Sequence, residues 1–203
     1  MKGYLMGTRL DTLLAELHTL EGQIQAEMAE HASTLRYKIE NHRVTFEKAV
    51  KDAHLKLRQG MPSYLRGATP MIVLTAPFIY AVIIPFMLLD LFVSVSHAVC
   101  FPAYKIEKVK RRYYITFDRR YLSYLNWLEK FNCLYCAYGN GVVAYAREVA
   151  ARTELRWCPI KHAQRVKGHH PHYHNFAEFG DAKAYREMQN QRAENREELP
   201  PKN

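Results

Sequence analysis

Residues 71–89, MIVLTAPFIYAVIIPFMLL, decide the fold class because these nineteen residues include no charged side chain. A helix rises about 1.5 Å per residue, so the stretch would cover about 28 Å, close to the hydrocarbon thickness of a bilayer. Apolar residues continue beyond Asp90 as far as Phe101. The buried helix of a soluble core is usually shorter and apolar on one face. We therefore predict a membrane segment over residues 70–104.

The sequence does not distinguish between two conformations of this segment, because two prolines interrupt it. Pro77 and Pro85 each remove a backbone hydrogen bond and bend a helix. Asp90 would be costly to bury as an ion, which places it at the membrane interface. The sequence fits one kinked span over about residues 71–92, or a re-entrant hairpin that turns near Pro85.

The positive charge of the chain clusters directly after the apolar segment, and the formal net charge is +9. This position favours anionic lipid headgroups over nucleic acid as the partner. The predicted headgroup contacts are Lys105, Lys108, Lys110, Arg111 and Arg112. The same bias predicts that the C-terminal part is cytoplasmic. A single span would then place residues 1–70 outside without a signal peptide, whereas a hairpin would keep both ends inside.

The region before the membrane segment, residues 1–69, has the pattern of a long amphipathic helix. Between Arg9 and Gly60 there is no proline, and the only glycine is Gly22. Apolar residues recur at spacings of three and four, as on one helical face. An isolated helix would leave this face exposed to water, so we expect a coiled-coil pairing through residues 9–60, with a protein partner or a second copy. A bent helical hairpin is the alternative.

A possible metal site begins with Cys133 and Cys136, a CxxC pair that the glycine-rich stretch 139–141 follows. A tight turn after two cysteines lets both sulfurs converge on one ion, as in a metal knuckle. In a reducing compartment such a pair suggests metal before disulfide.

Cys158 and His162 would complete this site. Proline suits the first turn of a helix, so Pro159 predicts that Cys158 lies at a helix N-terminus, with His162 on the same face. The spacing C-x2-C-x21-C-x3-H supplies three sulfurs and one imidazole, a common tetrahedral zinc set. An iron–sulfur cluster on the same ligands is the alternative.

Four more histidines follow within six residues, and they could hold a second metal or complete the first. A flexible surface cluster explains them equally well. These residues are His169, His170, His172 and His174. Beyond them, residues 181–203 are highly charged and predict a short solvated helix with a disordered end from about Leu199.

Two stretches carry a family resemblance: FNCLYCAYGNG at residues 131–141 and REVAARTELRWCPIKHA at residues 147–163. They resemble a group of bacterial membrane proteins with one apolar region and a cytosolic CxxC…WCPxxH module. The resemblance covers about residues 70 to 180. It implies a location in the bacterial inner membrane and no particular activity.

We therefore predict a mainly α protein with a helical region over residues 1–69, a membrane segment over 70–104, a metal-stapled cytosolic module over 105–180 and a charged tail over 181–203. No phosphate loop, GxSxG or HExxH motif occurs, so no catalytic residue is predicted. The expected function is a membrane-anchored adaptor or accessory subunit with a structural zinc ion. The alternative is a redox or metal-handling enzyme subunit with a Cys3His iron–sulfur or histidine-rich site.

Overall fold

The computed structural model describes residues 2–34, 37–40, 43–67 and 69–197, and these are mainly helical, which confirms the predicted class. The chain divides into two compact units. The first combines Met1–Gly67 with Asp118–Lys130, and the second combines Ala68–Phe117 with Phe131–Asn203.

The described residues of the first unit form helices and one small antiparallel sheet. Tyr37 of the first strand lies opposite Phe46 of the second, and Glu40 lies opposite Arg43. A short 3-10 helix, Asp118–Tyr121, belongs to the same unit. The elements in chain order are α1 (Lys2–Thr34), β1 (Tyr37–Glu40), β2 (Arg43–Phe46), α2 (Lys48–Lys56) and α3 (Met61–Arg66).

The continuous helix predicted up to residue 60 is therefore wrong beyond Thr34, where α1 ends. The sequences YKIE and RVTF contain aromatic and β-branched residues, namely Tyr, Ile, Val, Thr and Phe, and such residues favour extended structure. Their preference for a sheet overrides the weak apolar spacing that suggested one helix. His54 of α2 packs edge-on against Phe46 at 5.3 Å between ring centroids, which ties the sheet to α2.

In the second unit, α4 (Pro70–Ala81) and α5 (Ile83–Ala103) form one apolar helix of 34 residues with a single break at Val82. Pro85 lacks the N–H that would bond the carbonyl of Ala81, which explains why the break lies there. Hydrogen bonds from Val82 N to Ile79 O and from Phe86 N to Val82 O, each 3.3 Å, carry the helix past the break. The chain does not reverse near Pro85, so the alternative of a re-entrant hairpin is wrong.

Two further α-helices follow, α6 (Trp127–Trp157) and α7 (Ala182–Glu197), together with the 3-10 helices Arg111–Tyr113 and Pro171–Asn175. Asn126 caps the start of α6: its Oδ1 accepts from Glu129 N at 3.0 Å, and Glu129 Oε2 accepts from Asn126 N at 2.8 Å. This reciprocal pair is a capping box. The predicted solvated helix of the tail is formed by α7, whereas Leu199 lies outside the described residues.

Within the second unit, α6 runs beside α4 and α5 in the same direction. Tyr135 donates a hydrogen bond to the carbonyl of Ile79, and much further along both helices Trp157 packs against Tyr104 at 5.0 Å between ring centroids. The core of this unit lies towards the later end, where the buried residues are Phe101, Val109, Tyr145 and Val149.

The glycines of α6 allow this close packing, and they do not form the turn that the sequence predicted. A Cβ at Gly139 would lie 2.6 Å from Cε2 of Phe86, and a Cβ at Gly141 would lie 2.7 Å from the carbonyl oxygen of Tyr114. Both glycines are buried inside the continuous helix. Gly141 is therefore needed for the approach of a backbone, and Gly139 for the approach of an aromatic ring.

Candidate functional site

Asp90 is the charged residue of the apolar helix, and its carboxylate accepts hydrogen bonds from four donor groups. Arg111 donates from Nε to Oδ1 at 3.0 Å and from Nη2 to Oδ2 at 2.5 Å. The hydroxyl of Tyr138 donates to Oδ2 at 3.0 Å, and that of Ser94 donates to Oδ1 at 3.3 Å. The Asp90 side chain is only 13% exposed. A buried carboxylate is tolerated when it is paired and hydrogen-bonded in this way.

This set of contacts, the Asp90 clamp, joins three segments of the second unit. Asp90 belongs to α5, Arg111 to a short 3-10 helix, Arg111–Tyr113, and Tyr138 to α6. Burial and the hydrogen bond to the Asp90 carboxylate raise the pKa of the Tyr138 phenol, which therefore stays a neutral donor. The four donors leave the carboxylate saturated, so the clamp holds segments together and offers no group for acid or base chemistry.

His97 ties the end of α5 to the segment that follows it. Its Nε2 accepts a hydrogen bond from the backbone N of Val109 at 2.9 Å, so the ring proton lies on Nδ1. The ring packs against Phe101 and Tyr145 at centroid distances of 4.5 and 5.9 Å. The Asp90 clamp and the His97 contact together fix residues 105–112 beside the apolar helix.

The basic residues predicted to meet lipid headgroups differ in their surroundings. Arg111 belongs to the Asp90 clamp, whereas Lys110 and Arg112 lie over the ring of Tyr113 at 5.8 and 5.2 Å from its centroid. Lys105 and Lys108 are exposed. Contact of this group with headgroups stays a prediction.

The structure does not bring the four residues of the predicted zinc site together. Cys133 and Cys136 lie one turn apart on α6, and Cys158 directly follows the end of that helix. The 22 positions from Cys136 to Cys158 correspond to about 33 Å along the helix. His162 lies further on, in an irregular segment. The expected turn at residues 139–141 is helical, which is why the sulfurs cannot converge, for zinc or for an iron–sulfur cluster.

The prediction that Cys158 lies at a helix N-terminus is also wrong. Cys158 lies at the C-terminus of α6, where its N donates to Glu154 O. Among the residues that the structure describes, no group of three or more His, Cys, Asp or Glu side chains could hold a metal ion. The described geometry does not support a metal-stapled module. Binding of zinc by other groupings of these residues stays an untested prediction.

The four histidines of the predicted second metal site form a strip, residues 169–174, that docks on α6. His170 Nε2 lies 3.0 Å from Glu154 Oε2, and His172 Nε2 lies 3.3 Å from Glu148 Oε1. His169 stacks on Tyr173 at 4.6 Å between centroids and lies 6.3 Å from the ring of His174. The imidazoles therefore face carboxylates and aromatic rings instead of a common centre.

Charged side chains of α6 hold this histidine strip in place. Arg147 donates to the carbonyls of Gly168 and His169. Arg152 donates from Nε to Glu148 Oε1 at 2.8 Å and from Nη1 to Glu107 Oε2 at 2.9 Å. Burial alone would raise the pKa of Glu148, but the hydrogen bonds from Arg152 and His172 outweigh it, so the pKa is lowered. Glu148 is therefore an ionised link between α6 and the strip.

The sequence analysis did not identify Arg111 as the partner of Asp90, or Glu148 as the partner of Arg152 and His172, although a pattern in the sequence indicated each pair. A lone carboxylate in an apolar helix requires a counter-charge, and the basic cluster after the segment supplied it. Glu148 and Arg152 stand four residues apart, the spacing of an ion pair on a helix.

Comparisons with protein-family models, curated proteins and solved structures gave no match. The resemblance to bacterial membrane proteins stays a prediction.

Proposed function

We propose that this protein is a membrane-anchored adaptor of the bacterial inner membrane. The observation that carries the proposal is the helix Pro70–Ala103, which has a mean hydropathy of 2.4 over its most apolar window, with none of that window buried inside the protein. Exposure of this apolar helix to water would be unfavourable, because burial of apolar surface contributes about 25 cal/mol of stabilisation for each Å².

The position of Asp90 sets the depth of this helix in a bilayer, because exposed apolar side chains lie on both sides of it. Phe78 is 75% exposed before Asp90, and Phe92 is 69% exposed after it. Residues 70–89 would span about 30 Å, which matches the hydrocarbon core, and the first turns of α6, which contact Ile79 and Tyr80, would lie at the same depth. The Asp90 clamp then lies at the interface, where a paired charge is tolerated, and the basic residues 105–112 lie at headgroup level.

Pairing of two copies is supported by α1, whose apolar residues are exposed at spacings of three and four. Such a stripe is the seam of a coiled coil, and pairing of two copies would bury it. The exposed residues of this stripe are Leu13, Leu17, Leu20, Ile24 and Met28. We propose that a second copy of this chain covers the stripe.

Alkaline carbonate extraction of bacterial membranes tests the anchor. The full chain should stay in the membrane pellet, and Phe78→Lys should shift it towards the supernatant, because a lysine at the centre of a span costs about 2.5–3.5 kcal/mol in insertion. Leu20→Lys, on the exposed face of α1, is the matched control and should stay in the pellet. Full release of the wild-type chain would overturn the proposal.

Light scattering of the detergent-purified chain tests the pairing. Wild type should have the mass of two copies, and Ile24→Asp should give one, because a charge in the seam opposes its burial. Gln25→Asp, one position further along, is the control and should remain dimeric. Equal masses for the two variants would refute pairing through this stripe.

The positive residues after the apolar helix support a cytoplasmic position for the C-terminal region. Cys158 is exposed and provides a label site. In a variant that keeps Cys158 alone, a membrane-impermeant maleimide should label the chain only after the cells are permeabilised. Labelling of intact spheroplasts would reverse the assigned orientation.

A further inference from the structure

An apolar cavity of about 300 Å³ lies within the second unit, beside the break at Val82. Its volume is at the lower end of the range for small-molecule sites. Two of its walls come from the apolar helix and from the first half of α6, and aromatic rings provide most of the lining. The lining includes Tyr80, Ile83, Phe131, Leu134, Tyr135 and Tyr138.

The three tyrosine hydroxyls of the lining are all engaged in hydrogen bonds to protein groups. Tyr80 donates to Asn132 Oδ1 at 2.5 Å, Tyr135 donates to the carbonyl of Ile79, and Tyr138 donates to Asp90. The cavity therefore presents ring faces and aliphatic carbons to an occupant. A polar ligand would lose its hydrogen bonds to water and gain none, so the occupant must be apolar.

The surroundings of the cavity indicate where this occupant comes from. Phe117 and Phe131 line the cavity and are 38% and 48% exposed, so the cavity opens at the surface of the second unit. Ile83 of the apolar helix lines the same cavity. In the bilayer position proposed above, the open side faces lipid chains.

The lining also leads to positive charge. Tyr138 connects the cavity to the Asp90 clamp, and Arg111 of the clamp stands between Lys110 and Arg112 in the chain. Asp90 pairs with Arg111, whereas Lys110 and Arg112 lie over the ring of Tyr113. An anionic headgroup could meet these two cations while its chain enters the cavity.

We propose that the cavity holds one acyl chain of an anionic membrane phospholipid, with the phosphate beside Lys110 and Arg112. The proposal rests on the membrane location proposed above. A chain bound in this way covers the apolar surface next to the helix break and joins α4, α5 and α6 through a lipid.

Native mass spectrometry of the full chain tests the proposal, after extraction in mild detergent from membranes that contain phosphatidylglycerol. Wild type should retain one phospholipid. Leu134→Trp, which fills the cavity, should lower the retained fraction at least about tenfold, the change expected for the loss of about 1.4 kcal/mol of binding. Val143→Trp is the control, since Val143 lies on the same helix, is 49% exposed and does not line the cavity.

The double variant Lys110→Gln with Arg112→Gln tests the headgroup, and it should remove a preference for phosphatidylglycerol over phosphatidylcholine. An unchanged preference would overturn the headgroup assignment. Vesicle flotation of the same proteins separates the two proposals. If Leu134→Trp floats and keeps as much phospholipid as wild type, or if wild type floats and keeps none or a fatty acid, the cavity proposal is refuted. If wild type does not float, the membrane proposal itself fails.

Discussion

Replacing Gly141 by alanine tests the packing of α6 most directly. The added Cβ would lie 2.7 Å from the carbonyl oxygen of Tyr114, 2.9 Å from Cγ1 of Ile115 and 3.0 Å from its Cα. Two of these three atoms belong to the backbone, which cannot move away as a side chain can. The segment at residues 114–115 must therefore separate from α6.

The size of the effect follows from two opposing contributions. Overpacking a well-packed site costs about 1–3 kcal/mol. Alanine in place of glycine inside a helix gains about 0.8–1 kcal/mol. Because the added Cβ meets backbone, the upper part of the overpacking cost, about 2–3 kcal/mol, applies here, and we expect a net loss of about 1–2 kcal/mol of unfolding free energy for Gly141→Ala. For a chain of this size, each kcal/mol lowers the melting temperature by about 2–4 °C.

Thermal unfolding of the chain in detergent, followed by circular dichroism, measures this loss. Gly22→Ala is the matched control, because Gly22 lies inside α1 with no atom within 4 Å of the added Cβ. Its helix should gain stability. Gly139→Ala should cost less than Gly141→Ala, since the atoms it meets belong to the movable ring of Phe86.

The double variant Gly141→Ala with Ile115→Ala distinguishes backbone crowding from side-chain crowding. It removes Cγ1 of Ile115 and leaves the carbonyl of Tyr114, so a double-mutant cycle should show little rescue. A melting temperature for Gly141→Ala equal to or above that of wild type would refute the close approach of α6 to residues 114–115.

Three further predictions concern the charged contacts. Asp90→Asn removes the charge that Arg111 meets and should cost about 1–3 kcal/mol, measured by denaturant unfolding in detergent; an unchanged midpoint would contradict the clamp. The pKa of Glu148 is lower in the folded chain, so its stabilising contribution is complete above about pH 4.3 and is lost as the pH falls through the folded pKa. Glu148→Gln should therefore flatten the acid limb of stability, and an equally steep limb would refute the link. Arg147→Ala should expose the backbone of the histidine strip, seen as faster amide exchange at residues 168–169, whereas exchange equal to wild type would show that Arg147 does not hold it.

The sequence by itself determined the long apolar helix and the mainly helical class. In a bilayer, a run of nineteen uncharged residues such as 71–89 has few structures open to it, because its backbone polar groups must be satisfied within the segment. The need of Asp90 for a partner could also be inferred from composition alone. These conclusions depend on which residues a segment contains, and this does not change when distant parts of the chain pack against it.

Only the tertiary structure decided what the glycines and cysteines of α6 do. A glycine permits a turn, and it also permits another backbone to approach a helix, and the sequence does not distinguish the two uses. At Gly139 the ring of Phe86 and at Gly141 the backbone of Tyr114 approach a continuous helix, so Cys136 lies within α6 and Cys158 lies just beyond its end. The four ligands expected at one ion are not brought together in the described part of the chain for this reason: ligands spaced along a chain become neighbours only if the chain between them turns.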